Sequence, residues 1–106
     1  MRCAVIGAGA WGTALADLLA VNGADTTIWA HEPEVVAAIN DRHENTTFLA
    51  GASLSERLRA DTDARAVVAD ARLIVVAAPS PHVRAVVRRI APSVASDAVI
   101  VVASKG

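Results

Sequence analysis

The chain has 106 residues, 54% of them apolar and 20% charged, and a net charge of -1. This composition predicts one globular domain, and it excludes a general electrostatic attraction to nucleic acid or to an anionic membrane. No apolar run approaches the ~18 residues that a membrane-spanning helix requires. The only cysteine, Cys3, cannot form an internal disulfide, so we expect a buried thiol in a reducing, cytoplasmic setting.

Short β-branched runs alternate with longer segments of helical period, which predicts βαβ units and a parallel sheet. The first predicted strand covers residues 3–6, and a helix follows over residues 11–21, with Gly23 placed to end it. A second strand is predicted over residues 26–30. The expected buried face of the helix is formed by the apolar residues that recur at spacings of three and four, namely Ala14, Leu15, Leu18 and Leu19.

The second half of the chain continues this alternation. A helix is expected to begin at Pro33 and to end before residue 40, and a polar loop follows it. Asp63 is expected to cap a short helix over residues 64–69. The further strands are predicted over residues 58–60, 72–78 and 98–103.

A last helix is expected to begin at Pro81, with Ser80 as its cap. Its basic face carries Arg84, Arg88 and Arg89. A phosphate-binding cluster is one interpretation of these arginines, and a solvated basic face is the favoured one.

Residues 7–12 read Gly-Ala-Gly-Ala-Trp-Gly, between the first predicted strand and the first predicted helix. In this position the G-x-G-x-x-G spacing predicts a dinucleotide-binding turn. Gly7 allows the tight turn, Gly9 lets the backbone approach a pyrophosphate, and Gly12 permits close packing of the helix. The amino terminus of the helix offers N–H groups to the anion. The alternative is that the glycines serve only a sharp turn.

Ligands of such sheets bind beyond the carboxyl ends of the strands. Glu32 follows the second predicted strand, about 20 residues beyond Gly12, where an acidic side chain commonly bonds the ribose hydroxyls. The Glu32 carboxylate would repel a 2′-phosphate and therefore favours NAD. His31 favours NADP if its ring is protonated or donates a hydrogen bond. The other interpretation of His31 is a ring that stacks on adenine. An exposed His-Glu pair without a ligand is the alternative.

Two further segments follow predicted strands. The stiff turn over residues 78–82 either lies along the cofactor or is purely structural. Lys105 follows the last predicted strand, where it either acts on a phosphate or a polarised carbonyl or is merely solvated.

Several stretches resemble the N-terminal domain of glycerol-3-phosphate dehydrogenases, which interconvert dihydroxyacetone phosphate and glycerol 3-phosphate with NAD(P)H. They are Gly-Ala-Gly-Ala-Trp-Gly-Thr-Ala at 7–14, Trp29, His43-Glu44-Asn45 with Phe48-Leu49 and Gly51, and Ser104-Lys105-Gly106. The tryptophan in the glycine turn and the terminal Ser-Lys-Gly are more specific than the glycines alone. The family's usual Leu-Pro-Gly is Leu49-Ala50-Gly51 here.

The resemblance implies an α/β fold, a Rossmann-type doubly wound parallel sheet that is incomplete and holds only the cofactor-binding portion. It implies that residues 7–12, including Ala10 and Trp11, bind the pyrophosphate and that His31 lies beside the adenosine. It also implies that Lys105 contacts both the cofactor and the phosphate or carbonyl of the substrate. Position 32 is often basic in members that favour NADP, so Glu32 leaves the choice between NAD and NADP open.

In the family, a second, helical domain supplies the general acid/base lysine and most substrate contacts. We therefore expect residues 1–106 to be a fragment that binds a dinucleotide, with no catalytic residue and no metal site of its own. Dihydroxyacetone phosphate or glycerol 3-phosphate is the expected partner of the full enzyme, and a homodimer is one candidate for its assembly. The alternatives are a non-catalytic dinucleotide-sensing module and the cofactor domain of a related β-hydroxyacid-type or phosphogluconate-type dehydrogenase.

Overall fold

The computed structural model describes residues 1–47, 49–77 and 81–103. Its strands are β1 (Arg2–Ile6), β2 (Asp25–Trp29), β3 (Arg59–Asp61), β4 (Leu73–Ala77) and β5 (Val99–Ala103). Its helices are α1 (Ala10–Val21), α2 (Pro33–Arg42), α3 (Ala64–Val68) and α4 (Pro81–Ile90), with a 3₁₀ turn over Ala91–Ser93. Each predicted strand and helix is present, and only α2 runs clearly beyond its predicted end. The predicted cap Ser80 lies outside the described residues.

All five strands are parallel and lie in the order β3-β2-β1-β4-β5. The chain moves outward from β1 through β2 to β3, and then returns to the other side of β1 for β4 and β5. Helices α1 and α2 pack on one face of the sheet, and α3 and α4 pack on the opposite face. This arrangement is the doubly wound, Rossmann-type α/β fold that the sequence predicts.

Small side chains bring α1 close to the sheet. The fully buried residues of this helix are Gly12, Thr13, Ala16 and Ala20. The predicted face is correct at Leu15 and Leu19, which are partly buried against the core, but it is wrong at Ala14 and Leu18, which are exposed. The residues beneath the helix are all small, and the larger leucines lie to the side, as expected where a helix packs closely on a sheet.

Hydrogen bonds confirm two of the predicted helix ends. Gly23 has a φ of +95° beyond the end of α1, and its N–H donates to the carbonyl of Ala20. The next N–H, that of Ala24, donates to Leu19, which completes a Schellman arrangement. At the start of α3, the Asp63 carboxylate accepts from the backbone N–H groups of the first turn, as predicted.

The two edges of the sheet differ in how they are covered. At the β3 edge, the Asn40 side chain donates to the carbonyl of Ala60 at 3.0 Å and accepts from the Ala60 N–H at 2.8 Å. At the β5 edge, four consecutive apolar side chains are exposed: Val99, Ile100, Val101 and Val102. Strands that are apolar towards both faces are typical of the covered interior of a parallel sheet, and exposed apolar edges tend to self-associate.

We expect the 106-residue chain to self-associate through β5, and we expect Val102→Lys to weaken this association because a charge disfavours edge pairing. Leu18→Lys is the matched control, since Leu18 is 58% exposed on α1 and Val102 is 64% exposed on β5. Sedimentation velocity over a concentration series measures both. Equal behaviour of the two variants would show that β5 is not the contact.

Candidate functional site

The glycine turn, residues 7–12, lies where the carboxyl ends of three strands meet. The N–H of Gly7 donates to the carbonyl of Trp29, the last residue of β2, at 3.2 Å. On its other side, Gly7 lies against Ala77, the last residue of β4. Because β1 separates β2 from β4, the turn stands where the strand order reverses, which is where ligands of open α/β sheets bind.

The three glycines of the turn have different surroundings. Gly7 has a φ of +115°, and a Cβ there would lie 2.7 Å from the carbonyl oxygen of Ala77. A Cβ at Gly12 would overlap the carbonyl oxygen of Gly7. At Gly9, φ is -68°, and a Cβ would meet no described heavy atom within 4 Å. The fold therefore explains Gly7 and Gly12, whereas nothing within the described chain requires a glycine at position 9.

The amino terminus of α1 opens towards the same space. Gly9 is the N-cap, no side chain caps this end within the described residues, and the first turn carries no acidic residue. The first backbone bond of the helix runs from the N–H of Thr13 to the carbonyl of Gly9 at 2.9 Å. The preceding N–H groups, including those of the exposed residues Ala10 and Trp11, have no partner within the helix, and such groups attract anions.

A buried polar network supports the turn from behind. The Asn45 amide Nδ2 donates to the carbonyl of Ala8 at 3.0 Å and to the Thr13 Oγ1 at 2.9 Å. The Thr13 hydroxyl donates in turn to the carbonyl of Ala8 at 3.2 Å. Asn45 is 1% exposed and Thr13 is fully buried. The loop that follows α2 is thus bound to the peptide that precedes Gly9.

Thr13 and Asn45 are not among the site residues predicted from the sequence. For Thr13 a signal was available, because it shares a helix face with Ala16 and Ala20, and a buried hydroxyl needs a partner. For Asn45 the signal was its place in the stretch His43-Glu44-Asn45 that resembles the family, whereas its contact with Ala8, 37 residues away in the chain, could not be read from the sequence.

His31 and Glu32 follow β2 at the same edge of the sheet. His31 is exposed, and its ring centroid lies 6.3 Å from that of Trp29, with the planes inclined by 53°. Glu32 is half-buried as the N-cap of α2, and its carboxylate makes no capping hydrogen bond. Trp29 donates its indole N–H to the carbonyl of Thr62 at 2.8 Å, which ties the end of β2 to the loop after β3.

Other candidates from the sequence have less bearing on this edge. Lys105 and residues 78–80 lie outside the described residues. Arg84, Arg88 and Arg89 are all exposed on α4, in agreement with a solvated basic face. Cys3 is fully buried in β1, and desolvation raises the pKa of its thiol, with the nearby amino terminus as a smaller, opposing influence.

Within residues 1–47, 49–77 and 81–103, no group of three or more His, Cys, Asp or Glu side chains is arranged to hold a metal ion. In the same part of the chain, every helix is too short or too polar to cross a lipid bilayer.

Comparison with known proteins agrees with this geometry. A family model described as NAD-dependent glycerol-3-phosphate dehydrogenase N-terminus matches residues 2–106. The glycerol-3-phosphate dehydrogenase [NAD(P)+] 1 of Sphingopyxis alaskensis is 52% identical over 103 residues, which cover 96% of this chain and 30% of that protein. The glycerol-3-phosphate dehydrogenase [NAD(P)+] of Caulobacter vibrioides is 49% identical over 105 residues, which cover 99% of this chain and 31% of that protein.

Solved structures show the same likeness. The crystal structure of glycerol-3-phosphate dehydrogenase from Coxiella burnetii has a TM-score of 0.87 and 30% identity, covering 99% of this chain and 32% of that one. The present chain thus spans about 30% of the length of the curated relatives it matches. The match over nearly all its residues shows that the chain belongs to the NAD-dependent glycerol-3-phosphate dehydrogenase N-terminus family.

Proposed function

We propose that this chain is the dinucleotide-binding part of a glycerol-3-phosphate dehydrogenase and that it binds NAD(H) or NADP(H). The observation that carries the proposal is the open space at Gly9, in front of a helix amino terminus without a side-chain cap. A pyrophosphate needs close approach to the backbone and N–H donors, and both are available there. The names of the relatives, glycerol-3-phosphate dehydrogenase [NAD(P)+], support this class of cofactor.

The residues of the turn fit a pyrophosphate. The absence of side chains at Gly7 and Gly12 lets the turn pass close to Ala77 and to the start of α1, while the N–H groups of Ala10 and Trp11 belong to the uncapped first turn of α1. The absence of a carboxylate from that first turn avoids repulsion of the anion. In this proposal His31 lies beside the adenosine, and the uncommitted carboxylate of Glu32 accepts from the ribose hydroxyls.

In the proposed reaction, dihydroxyacetone phosphate is reduced to glycerol 3-phosphate. A nicotinamide dinucleotide held by this turn would supply the hydride, and the protein would supply binding and orientation. We assign orientation of the dinucleotide to residues 7–12, and contact with both the cofactor and the substrate phosphate or carbonyl to Lys105. The general acid/base group is proposed to come from another part of the enzyme, so residues 1–106 bind but do not catalyse.

The exposed apolar strand β5 supports the proposal that residues 1–106 act as one part of a larger enzyme. Its side chains Val99 and Val101 face one side of the sheet, Ile100 and Val102 face the other, and all four are exposed. Coverage of about 30% of the relatives' length agrees with this proposal. A homodimeric enzyme and a cytoplasmic location stay predictions.

Titration of the 106-residue chain with NADH and with NADPH, followed by tryptophan fluorescence, tests the proposed function. Saturable quenching by at least one of them is expected, and Trp11→Phe separates the signal of the exposed Trp11 from that of the buried Trp29. No saturable response to either dinucleotide would refute the proposal. Turnover of dihydroxyacetone phosphate by the 106-residue chain would refute the assignment of catalysis to another part of the enzyme.

Substitutions at Gly9 and Gly12 are expected to separate binding from folding. Gly9→Val should leave the free energy of unfolding within about 1 kcal/mol of the parent, because its Cβ meets no described atom, yet weaken dinucleotide binding at least about tenfold. Gly12→Ala should destabilise the fold by roughly 1–3 kcal/mol through overlap with Gly7. Urea unfolding and dinucleotide titration measure the two effects, and tight binding by Gly9→Val would contradict the close approach.

A further substitution tests whether the chain prefers NADH or NADPH. Glu32→Arg is expected to shift the ratio of the two Kd values towards NADPH by about tenfold, because it replaces repulsion of a 2′-phosphate with attraction. Glu34→Arg is the matched control, since Glu34 is an exposed carboxylate in the first turn of the same helix. If both variants keep the parent ratio, the Glu32 carboxylate does not face the ribose.

A further inference from the structure

The network behind the glycine turn has only one consistent arrangement of hydrogens. The carbonyl oxygen of Ala8 can only accept, so both atoms that contact it must donate. The amide nitrogen of Asn45 therefore faces Ala8, and its second hydrogen goes to the Thr13 oxygen, whose own hydrogen goes to Ala8. Rotating the amide by half a turn would set two acceptor oxygens against each other.

This arrangement fixes the direction of one peptide unit. The bond between Ala8 and Gly9 is trans, and in a planar trans peptide the C=O and N–H groups point in opposite directions. Because Asn45 and Thr13 hold the Ala8 carbonyl towards the protein interior, the Gly9 N–H points away from them. Two donors on one carbonyl also polarise the peptide, which strengthens its N–H as a donor.

Asn45 itself is held in place by backbone geometry. The preceding helix, α2, is capped at its carboxyl end by His43, whose φ of 55° is left-handed and turns the chain back towards α1. The His43 carbonyl then accepts from the N–H of Leu54 at 2.8 Å, and the Asn45 carbonyl accepts from the N–H of Leu49 at 2.7 Å. The Asn45 side-chain amide therefore reaches Ala8 from a loop that is held by these two backbone hydrogen bonds.

We propose that Asn45 is a positioning residue, which aims the Gly9 N–H at the pyrophosphate of the bound dinucleotide by holding the Ala8 carbonyl. This inference rests on the proposed function, since it names the residue that prepares that same turn for its ligand. Asn45 acts through the peptide and does not touch the ligand. Thr13 contributes to the same positioning of the Gly9 N–H, because its hydroxyl is the second donor to the Ala8 carbonyl.

Asn45→Asp tests the inference, because a carboxylate cannot donate to Ala8 whereas a protonated carboxyl can. Burial among acceptor oxygens is expected to raise the pKa of the introduced carboxyl above its unfolded value. The donation to the Ala8 carbonyl should then be lost at a pH above that pKa and regained as the pH falls through it, whereas the donation to Thr13 stays lost because a protonated carboxyl has only one hydrogen. With NAD⁺ as the probe, we expect binding about tenfold weaker than in the parent at a pH of about 8, and recovery towards about pH 5.

Asn40→Asp is the matched control. Asn40 also donates its side-chain amide to a backbone carbonyl, that of Ala60, but at the β3 edge of the sheet. A merely structural role would make the two variants alike: each would lose stability, and in each the folded protein would keep the parent's Kd for NAD⁺. The inference instead requires a pH-dependent Kd in Asn45→Asp only.

The amide resonance of Gly9 gives a second measurement that needs no dinucleotide. In Asn45→Asp it is expected to shift with the titration of the introduced carboxyl, and in Asn40→Asp it is expected to stay at the parent position. A parent-like Gly9 resonance in folded Asn45→Asp, or a parent-like Kd at high pH, would overturn the inference. If the parent chain binds neither dinucleotide, the proposed function fails, while the Gly9 resonance still decides whether Asn45 orients this peptide.

Thr13→Val keeps the inference testable if Asn45→Asp does not fold. Valine has nearly the shape of threonine but removes one donor to Ala8 and the acceptor for Asn45. We expect a smaller displacement of the Gly9 resonance and binding of NAD⁺ weakened by about threefold. An unchanged resonance together with unchanged binding would count against the network.

Discussion

The structure depends on a backbone contact at Gly7 and Gly12 that leaves no room for a side chain. A Cβ on Gly7 would press against the carbonyl of Ala77 in β4, and one on Gly12 would overlap the carbonyl of Gly7. These two positions bring β1, β4 and α1 together at the carboxyl edge of the sheet. The same closeness dictates the small residues along α1, because a helix that begins in contact with the sheet has space only for alanine, glycine and threonine beneath it.

Helix α2 connects the two ends of the proposed dinucleotide site. Its N-cap is Glu32, whose carboxylate makes no capping hydrogen bond, and its C-cap is His43, whose left-handed backbone directs Asn45 to Ala8. Burying an amide and a hydroxyl carries a desolvation penalty unless each is hydrogen-bonded, and the triangle formed with Ala8 meets that condition. The loop after α2 is therefore part of the support of the glycine turn.

The two edges of the sheet differ in how their edge strands are covered, and this difference bears on the proposed role of the chain. The Asn40 side chain forms hydrogen bonds with the outward-facing N–H and C=O groups of Ala60 in β3, so these two groups are not available to pair with a further strand. Strand β5 instead presents apolar side chains on both faces. A strand of that composition is typical of the covered part of a parallel sheet, which supports the proposal that the chain is one portion of a larger dehydrogenase.

The order of the strands and helices along the chain, the glycine turn and the caps at Asp63 and Gly23 could be predicted from the sequence, because they depend on neighbouring residues and on local periodicity. Three-dimensional packing was needed to show that Thr13 rather than Leu18 lies beneath α1, since that depends on how near the helix stands to the sheet. It also decided that Gly9, unlike Gly7 and Gly12, has open space before it. Asn45 reaches Ala8 across 37 residues, a contact that no local pattern encodes because it forms only when α2 has docked.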